Sequence, residues 1–318
     1  MPCRLRRSCL PGHFAIVVSF IIGCGQSAPP EGQQAKTGTT AAGKETAALA
    51  VTTTSDASSE SGAIRPASFD ANPALAFLHQ PFSQVVRPEP PAGPNVLPPV
   101  TTISGKSVGK LYLDVQKLWP TIRFADANGK ELRYAAQIET DQGTIAIDLL
   151  ADVAPNHVRS FVALAKVGYY DGLRFETRTG TPNVGFPPHS IAGGSPAGDG
   201  NDLGGVGYWL TSEILKPDLA ARRDIKHEPG TVGAVHGFEQ PNSDSCRFYI
   251  CLGDAPVWDG DYTIFGKVTR GLEVAQALFG GEVQDDKTSP FTFVKPPTIR
   301  RVTISVRALE TPPNTPNN

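Results

Sequence analysis

Two stretches of the chain decide its fold: Gly168–Phe175, which reads GYYDGLRF, and Asn242–Ile250, which reads NSDSCRFYI. The first contains Asp171-Gly172, a dipeptide typical of tight turns, and it comes directly after a segment with helical periodicity. The second runs into Arg247–Leu252, which has the composition of a short strand. The first stretch therefore predicts the end of a helical unit, and the second predicts a β-strand.

The residues before the first stretch predict a strand followed by a helix. The apolar side chains of Ile145, Ile147 and Leu149 alternate along the chain, as in a half-buried strand. Pro155 suits the first turn of a helix. The apolar face of that helix would consist of Val158, Phe161, Val162 and Ala165.

Further short strands surround the second stretch. The strand-like runs are Thr231–Val235, Arg247–Leu252, Thr263–Val268 and Ile299–Val306, and the spacing of Leu272, Ala275 and Phe279 predicts a second helix. Many short strands with two helices favour a mainly β fold, a closed antiparallel barrel with helices over its ends. Periodicity alone leaves a β-sandwich as an equal alternative.

The composition argues against charge-driven binding of nucleic acid and against a structural disulfide. The formal net charge of the 318 residues is −2, so no general attraction to nucleic acid is expected. On one strand, Cys246 and Cys251 would point to opposite faces, roughly 16 Å apart. A disulfide requires Cα atoms within about 7 Å, so no structural disulfide is predicted.

The N-terminus resembles a bacterial lipoprotein signal. Three arginines precede the apolar run Phe14–Ile22, which is shorter than the roughly 20 residues that a membrane-spanning helix needs. The run ends in Ile21-Ile22-Gly23-Cys24, and this resemblance implies cleavage after residue 23 and lipid attachment to Cys24. The predicted location is the cell envelope, on the outer side of the inner membrane or in the outer membrane. The alternative is an ordinary signal peptide with an incidental cysteine.

The chain is expected to have four regions. Residues 1–23 form the signal peptide, and 24–109, rich in Ala, Thr, Ser and Pro, form a disordered tether. The folded domain covers 110–308, and 309–318 is a polar tail. Proline-rich parts of the tether could instead be ligands for proline-binding domains.

Residues 138–308 resemble the cyclophilin-type peptidyl-prolyl isomerases. The matching motifs occur in the family's order: Gly143-Thr144-Ile145, Ala154-Pro155, Tyr169–Gly172, Gly193–Pro196, Gly207-Tyr208, His227–Val232, Asn242–Ile250 and Phe265–Val268. The resemblance implies a closed eight-stranded antiparallel barrel capped by two helices.

The resemblance also implies isomerisation of X–Pro bonds in proline-containing segments, without a metal or cofactor. Amide resonance sets a barrier of ~18–20 kcal/mol to rotation. A protein accelerates rotation by binding the twisted amide better than either planar isomer. In the twisted state the prolyl nitrogen can accept a hydrogen bond, so a fixed guanidinium suits that region.

Two arginines are the candidate catalytic residues. The family's arginine aligns with Thr177, and the next residue is Arg178, which a β-bulge could redirect. Arg247 replaces the family's glutamine, beside the place where the missing guanidinium would lie. The alternative is that both are solvated surface arginines.

The predicted substrate-binding residues come from four places in the sequence. Tyr249 aligns with the family's pocket-floor aromatic, and Trp258 is a candidate pocket wall. Ile191 is a candidate substitute for a family methionine, and Val235 and His236 complete the set. The alternatives are barrel core for Tyr249, a surface position for Trp258 and a hydrogen-bonded loop position for His236.

Two functions fit these residues. The first is a membrane-tethered isomerase with weak or altered activity that acts on exported proteins. The second is a module of the same fold that binds proline-containing segments without accelerating their isomerisation.

Overall fold

A computed structural model describes residues 80–89, 97–180, 189–200, 204–214, 225–237, 239–285, 287 and 289–308. The predicted signal peptide, Cys24 and the polar tail lie outside these ranges. Within them, no helix is both long enough and apolar enough to span a bilayer.

The helices and strands are, in chain order, α1 (Phe82–Val85), β1 (Val86–Arg87), α2 (Val108–Leu118), β2 (Leu132–Thr140), β3 (Gly143–Leu149), α3 (Pro155–Lys166), β4 (Phe175–Thr179), β5 (Ser190–Gly193), β6 (Trp209–Leu210), β7 (Thr231–Ala234), β8 (Phe248–Cys251), β9 (Ile264–Arg270), α4 (Leu272–Phe279), β10 (Phe291–Thr292) and β11 (Ile299–Ala308). Two 3-10 turns cover Trp119–Thr121 and Pro256–Trp258.

Nine of these strands form one antiparallel sheet, in the order β10-β4-β5-β8-β7-β9-β3-β2-β11. The fold is thus mainly β, as expected, but the strand order is not that of a closed eight-stranded barrel. The ninth strand, β10, pairs with the outer side of β4. The segment that leads into β4 also meets the start of β11: Arg174 and Thr298 form an isolated bridge, and backbone hydrogen bonds join Gly172 and Leu173 to Ile299 and Phe175 to Pro297.

The two stretches that decided the fold meet in its core. The ring centroids of Tyr170 and Phe248 are 5.7 Å apart, and the hydroxyl of Tyr170 donates to the carbonyl of Cys246 at 3.0 Å. Phe161 of α3 packs against both rings, at 5.0 and 5.6 Å. Cys246 and Cys251 are both buried free thiols.

A buried ionic cluster fixes the start of α3. Pro155 occupies its first turn, as expected, and Glu213 accepts hydrogen bonds from the backbone N–H groups of Asn156 and His157. The two ring nitrogens of His157 lie 2.8 Å from Glu213 and 2.8 Å from Asp244. Burial alone would lower the pKa of His157, but the hydrogen bonds to the two carboxylates raise it to about 9.

Parts of the predicted tether pack on the domain. The Phe82 ring lies 5.6, 5.3 and 5.3 Å from the rings of Tyr112, Trp119 and Tyr208. Val86 pairs with Leu210. The structure therefore differs from the predicted boundary at residue 109, because this short apolar segment buries an aromatic ring against α2.

Candidate active site

A cavity of about 280 Å³ opens beside strands β4, β5 and β8. Its lining combines hydroxyl, aromatic and basic side chains from β4, β5 and β8 and from the segments next to β7, β8, β9 and β10. The lining residues are Thr177, Thr179, Ser190, Ala192, Val235, His236, Arg247, Tyr249, Trp258, Tyr262, Ser289 and Pro290.

Strand register explains how one side of this cavity is assembled. Thr177 of β4 is opposite Ala192 of β5, which in turn is opposite Tyr249 of β8. Side chains alternate along a strand, so Arg247, two residues before Tyr249, shares its face. Both side chains accordingly line the cavity.

Aromatic rings form a second part of the lining. The ring of Tyr249 meets Trp258 at 5.2 Å and Tyr262 at 5.7 Å, edge to face in both cases. The rings of His236 and Tyr262 stack at 4.1 Å, and Nδ1 of His236 donates to the carbonyl of Gly237 at 2.8 Å. This side of the cavity offers an aromatic, apolar surface.

Arg247 is buried beside two acceptors on β4. Its Nη2 donates to Oγ1 of Thr177 at 3.1 Å, and its Nε lies 3.7 Å from Oε2 of Glu176. Burial lowers the pKa of Arg247, and the Glu176 carboxylate opposes that change. Burial also raises the pKa of Glu176 to about 7, against the opposing effects of Arg247 and of the backbone N–H of Ser195.

Arg178 is directed away from the cavity. Its guanidinium lies 4.8 Å from the ring centroid of Phe279 and 5.5 Å from that of Phe291. Its Nη1 donates to the carbonyl of Gly180 at 3.2 Å. These contacts place Arg178 between two aromatic rings, where it packs β10 and α4 together.

Ile191 also lies on the opposite face from the cavity. It pairs with Arg178 and Ile250 in the sheet and is fully buried in the core. Its neighbours Ser190 and Ala192 line the cavity instead. Alternation along β5 is the signal that would have selected these two residues from the sequence.

The structure thus brings together Arg247, Tyr249, Trp258, Val235 and His236 of the sequence-based candidates, and separates Arg178 and Ile191 from them. Sequence reasoning did not select Thr179, Tyr262, Ser289 or Pro290. Among the described residues, no group of three or more His, Cys, Asp or Glu side chains is arranged to hold a metal ion.

Known proteins show similarity over the same region. The family model for the cyclophilin type peptidyl-prolyl cis-trans isomerase matches residues 135–304, just over half of the 318 residues. A peptidyl-prolyl cis-trans isomerase of Helicobacter pylori is 34% identical over 150 residues, which is 46% of this chain and 82% of that protein. One of Schizosaccharomyces pombe is 32% identical over 161 residues, 50% of this chain and 95% of that protein.

A solved structure of a Cryptosporidium parvum cyclophilin type peptidyl-prolyl cis-trans isomerase gives a TM-score of 0.44 at 26% identity. It covers 54% of this chain and 98% of that one. On the family-model match and the two relatives, this chain belongs to the cyclophilin-type peptidyl-prolyl cis-trans isomerase family.

Proposed function

We propose that this chain catalyses cis–trans isomerisation of X–Pro bonds, with Arg247 as its catalytic cation. One observation carries the proposal: the guanidinium of Arg247 lies in the cavity wall and donates to Thr177. Thr177 is the position that aligns with the family's arginine. A cation from a different strand therefore reaches the neighbourhood in which the family's chemistry needs one.

The cavity supplies the two requirements of the reaction. The rings of Tyr249 and Trp258 offer an apolar surface to the proline ring, and Arg247 presents N–H donors beside it. As the amide twists, the prolyl nitrogen regains its lone pair and becomes an acceptor. A donor that is already fixed in place stabilises the twisted state more than the planar one.

Reduced or altered activity is part of the proposal. Glu176 lies 3.7 Å from Arg247, so its carboxylate offsets part of the cationic field when it is ionised. Arg247 also approaches from the residue before β8 rather than from β4, which changes the direction of its donors. Arg178 has no catalytic role in this proposal, because its side chain lies between Phe279 and Phe291.

The test is exchange NMR with a proline tetrapeptide such as Ala-Ala-Pro-Phe, using the chain from residue 25 onward. We expect exchange between the two isomers to accelerate in proportion to protein concentration. Binding without acceleration at protein concentrations equal to the peptide would contradict catalysis. That outcome would identify a module that only binds proline segments.

The proposed substrates are exported proteins, and the proposed location is the cell envelope. The support is the sequence around Cys24, where a basic start and a short apolar run precede Gly23-Cys24. A chain lipidated at Cys24 would hold its domain near proteins that emerge from the membrane. Cys24→Ala should abolish incorporation of labelled fatty acid and release the chain from membranes. Unchanged labelling and fractionation would refute this location.

A further inference from the structure

Three side chains form a hydrogen-bonded row behind the aromatic part of the cavity. Oδ1 of Asp259 lies 2.7 Å from Nδ1 of His227, and Nε2 of His227 lies 2.7 Å from the hydroxyl of Tyr249. His227 is buried, and its backbone N–H also donates to Oδ1 of Asp259 at 2.8 Å. Neither His227 nor Asp259 lines the cavity, but the hydroxyl of Tyr249 connects both to a side chain that does.

The hydrogen bonds define the roles of the two imidazole nitrogens. Burial alone would raise the pKa of the Asp259 carboxyl, but hydrogen bonds from the backbone N–H and the ring of His227 lower it. An ionised carboxylate only accepts, so Nδ1 of His227 carries a proton. Burial lowers the pKa of His227, and the neutral ring leaves Nε2 as the acceptor for the Tyr249 hydroxyl.

The strand opposite Tyr249 provides the space for this arrangement. Gly233 of β7 pairs with Tyr249 of β8, and a Cβ at Gly233 would lie 2.2 Å from the Tyr249 hydroxyl. The ring tip of Tyr249 thus occupies the volume that any larger residue at position 233 would need. The glycine and the His227 acceptor together define one orientation of the ring.

The same row meets Trp258, the other aromatic wall. The ring of His227 contacts Trp258 edge to face at 6.0 Å and stacks on Tyr249 at 6.0 Å. Asp259 is the next residue after Trp258 in the chain. A change in the position of the His227 ring would therefore alter the packing of both Tyr249 and Trp258.

We infer that His227 and Asp259 are positioning residues for the peptide-binding cavity, because they hold the Tyr249 ring in place through its hydroxyl. The ring is the surface that receives the proline, so its orientation decides how well proline peptides bind. This inference rests on the proposed function for the identity of the peptide. It gives His227 and Asp259 a role in binding the peptide and none in rotation about the X–Pro bond.

The test measures peptide binding separately from turnover. Dissociation constants for Ala-Ala-Pro-Phe are measured by NMR titration for the wild type, His227→Leu, His227→Gln, Tyr249→Phe and the double variant His227→Leu/Tyr249→Phe. A hydrogen bond of ordinary strength changes such a constant about three- to tenfold. We expect His227→Leu and Tyr249→Phe each to weaken binding by that factor. His227→Gln should retain most of the affinity, because its amide oxygen can accept from the hydroxyl.

The double variant separates positioning from a general structural role. If His227 acts through the Tyr249 hydroxyl, His227→Leu should weaken binding no further in the Tyr249→Phe background. Tyr134→Phe is the matched control, since it removes another buried hydroxyl, one that donates to the carbonyl of Arg123 at 2.8 Å. Its affinity should equal that of the wild type.

A second measurement needs no peptide, so it can also be made on variants that no longer bind one. The nuclear Overhauser effect between the Tyr249 ring and the Gly233 Hα protons should persist in His227→Gln and weaken in His227→Leu. Unchanged affinity and unchanged ring contacts in His227→Leu would overturn the inference, as would additive effects in the double variant. A wild type that binds the peptide without isomerising it would refute catalysis and leave the inference standing. A wild type that does not bind the peptide would refute both.

Discussion

Arg247 donates a 3.1 Å hydrogen bond to Thr177, although a whole strand separates their positions in the sheet. β5 lies between β4 and β8, and neighbouring strands are about 4.8 Å apart. The long side chain of Arg247 covers this distance, and the β5 residue opposite Thr177 is Ala192, which carries only a methyl group. The guanidinium next to β4 therefore comes from a residue on the far side of β5.

The first prediction separates the two candidate arginines. Arg247→Ala should lower kcat/KM for a proline peptide about 100-fold or more, since it removes the donor that we propose stabilises the twisted amide. Arg247→Lys should recover little of the loss, because an ammonium lacks the planar fork that reaches Thr177. Exchange NMR measures both.

Arg178→Ala is the matched control, as it removes a guanidinium from the opposite face of β4. It should lower the free energy of unfolding through lost contact with Phe279 and Phe291, with less than a threefold effect on kcat/KM in the folded protein. A rate that depends on Arg178 and not on Arg247 would reverse the assignment.

The second prediction concerns the pH dependence caused by Glu176. Its pKa is raised from 4.5 to about 7 in the folded chain, chiefly by burial. The folded state therefore binds more protons than the unfolded state between these pH values, and stability falls as pH rises from about 4.5 to about 7. Urea unfolding at several pH values should show that Glu176→Gln removes this slope. A stability difference between the two proteins that is constant over this range would contradict it.

The third prediction concerns His157 at the start of α3. Its folded pKa of about 9 is above the ordinary value of 6.5, so its contribution to stability is fully present below pH 6.5. That contribution should be lost as pH rises through 9. His157→Leu should cost about 3–5 kcal/mol at neutral pH, because Glu213 and Asp244 then lose their buried partner.

In His157→Leu, the free energy of unfolding should no longer decline between pH 6.5 and 9. Denaturant melts at pH 6, 7.5 and 9 measure this decline directly. A His157→Leu protein that keeps the wild-type decline would show that another group titrates there.

The fourth prediction concerns the segment before α2. Phe82 is buried against three aromatic rings, so Phe82→Ala should lower the free energy of unfolding by about 3 kcal/mol or more. Ser83 is exposed on the same helix, and Ser83→Ala serves as the control, with an expected change below about 0.5 kcal/mol. Equal stabilities for the two variants would show that this segment contributes nothing to the domain.

The sequence predicted the fold well because its motifs occur in a fixed order. The strand at Ile145, the helix at Pro155 and the helix near Ala275 are present, since each rests on local periodicity. The ninth strand was missed because Phe291–Thr292 is only two residues long. A strand of two residues shows no periodicity in the sequence, and β10 is recognised only by its pairing with β4.

The candidate site was predictable as far as alternation along a strand could be applied. It placed Arg247 and Tyr249 on one face, while the choice of Ile191 ignored the alternation that favours Ser190 and Ala192. The hydrogen bond between Arg247 and Thr177 was beyond sequence reasoning, because it depends on a side chain that crosses a third strand. The packing of Phe82 was missed for a related reason: its partners Tyr112, Trp119 and Tyr208 are far from it in the sequence, so no local pattern indicates the contact.

The position of Arg247 two residues before Tyr249 has a geometric consequence. Two residues of one extended backbone fix the spacing between the cation and the aromatic floor, at about 6.8 Å along the strand. A cation on β4 would instead depend on the connection of ten residues, 180–189, that joins β4 to β5. With the charge carried beside the floor, the distance between the two does not depend on the length of that connection.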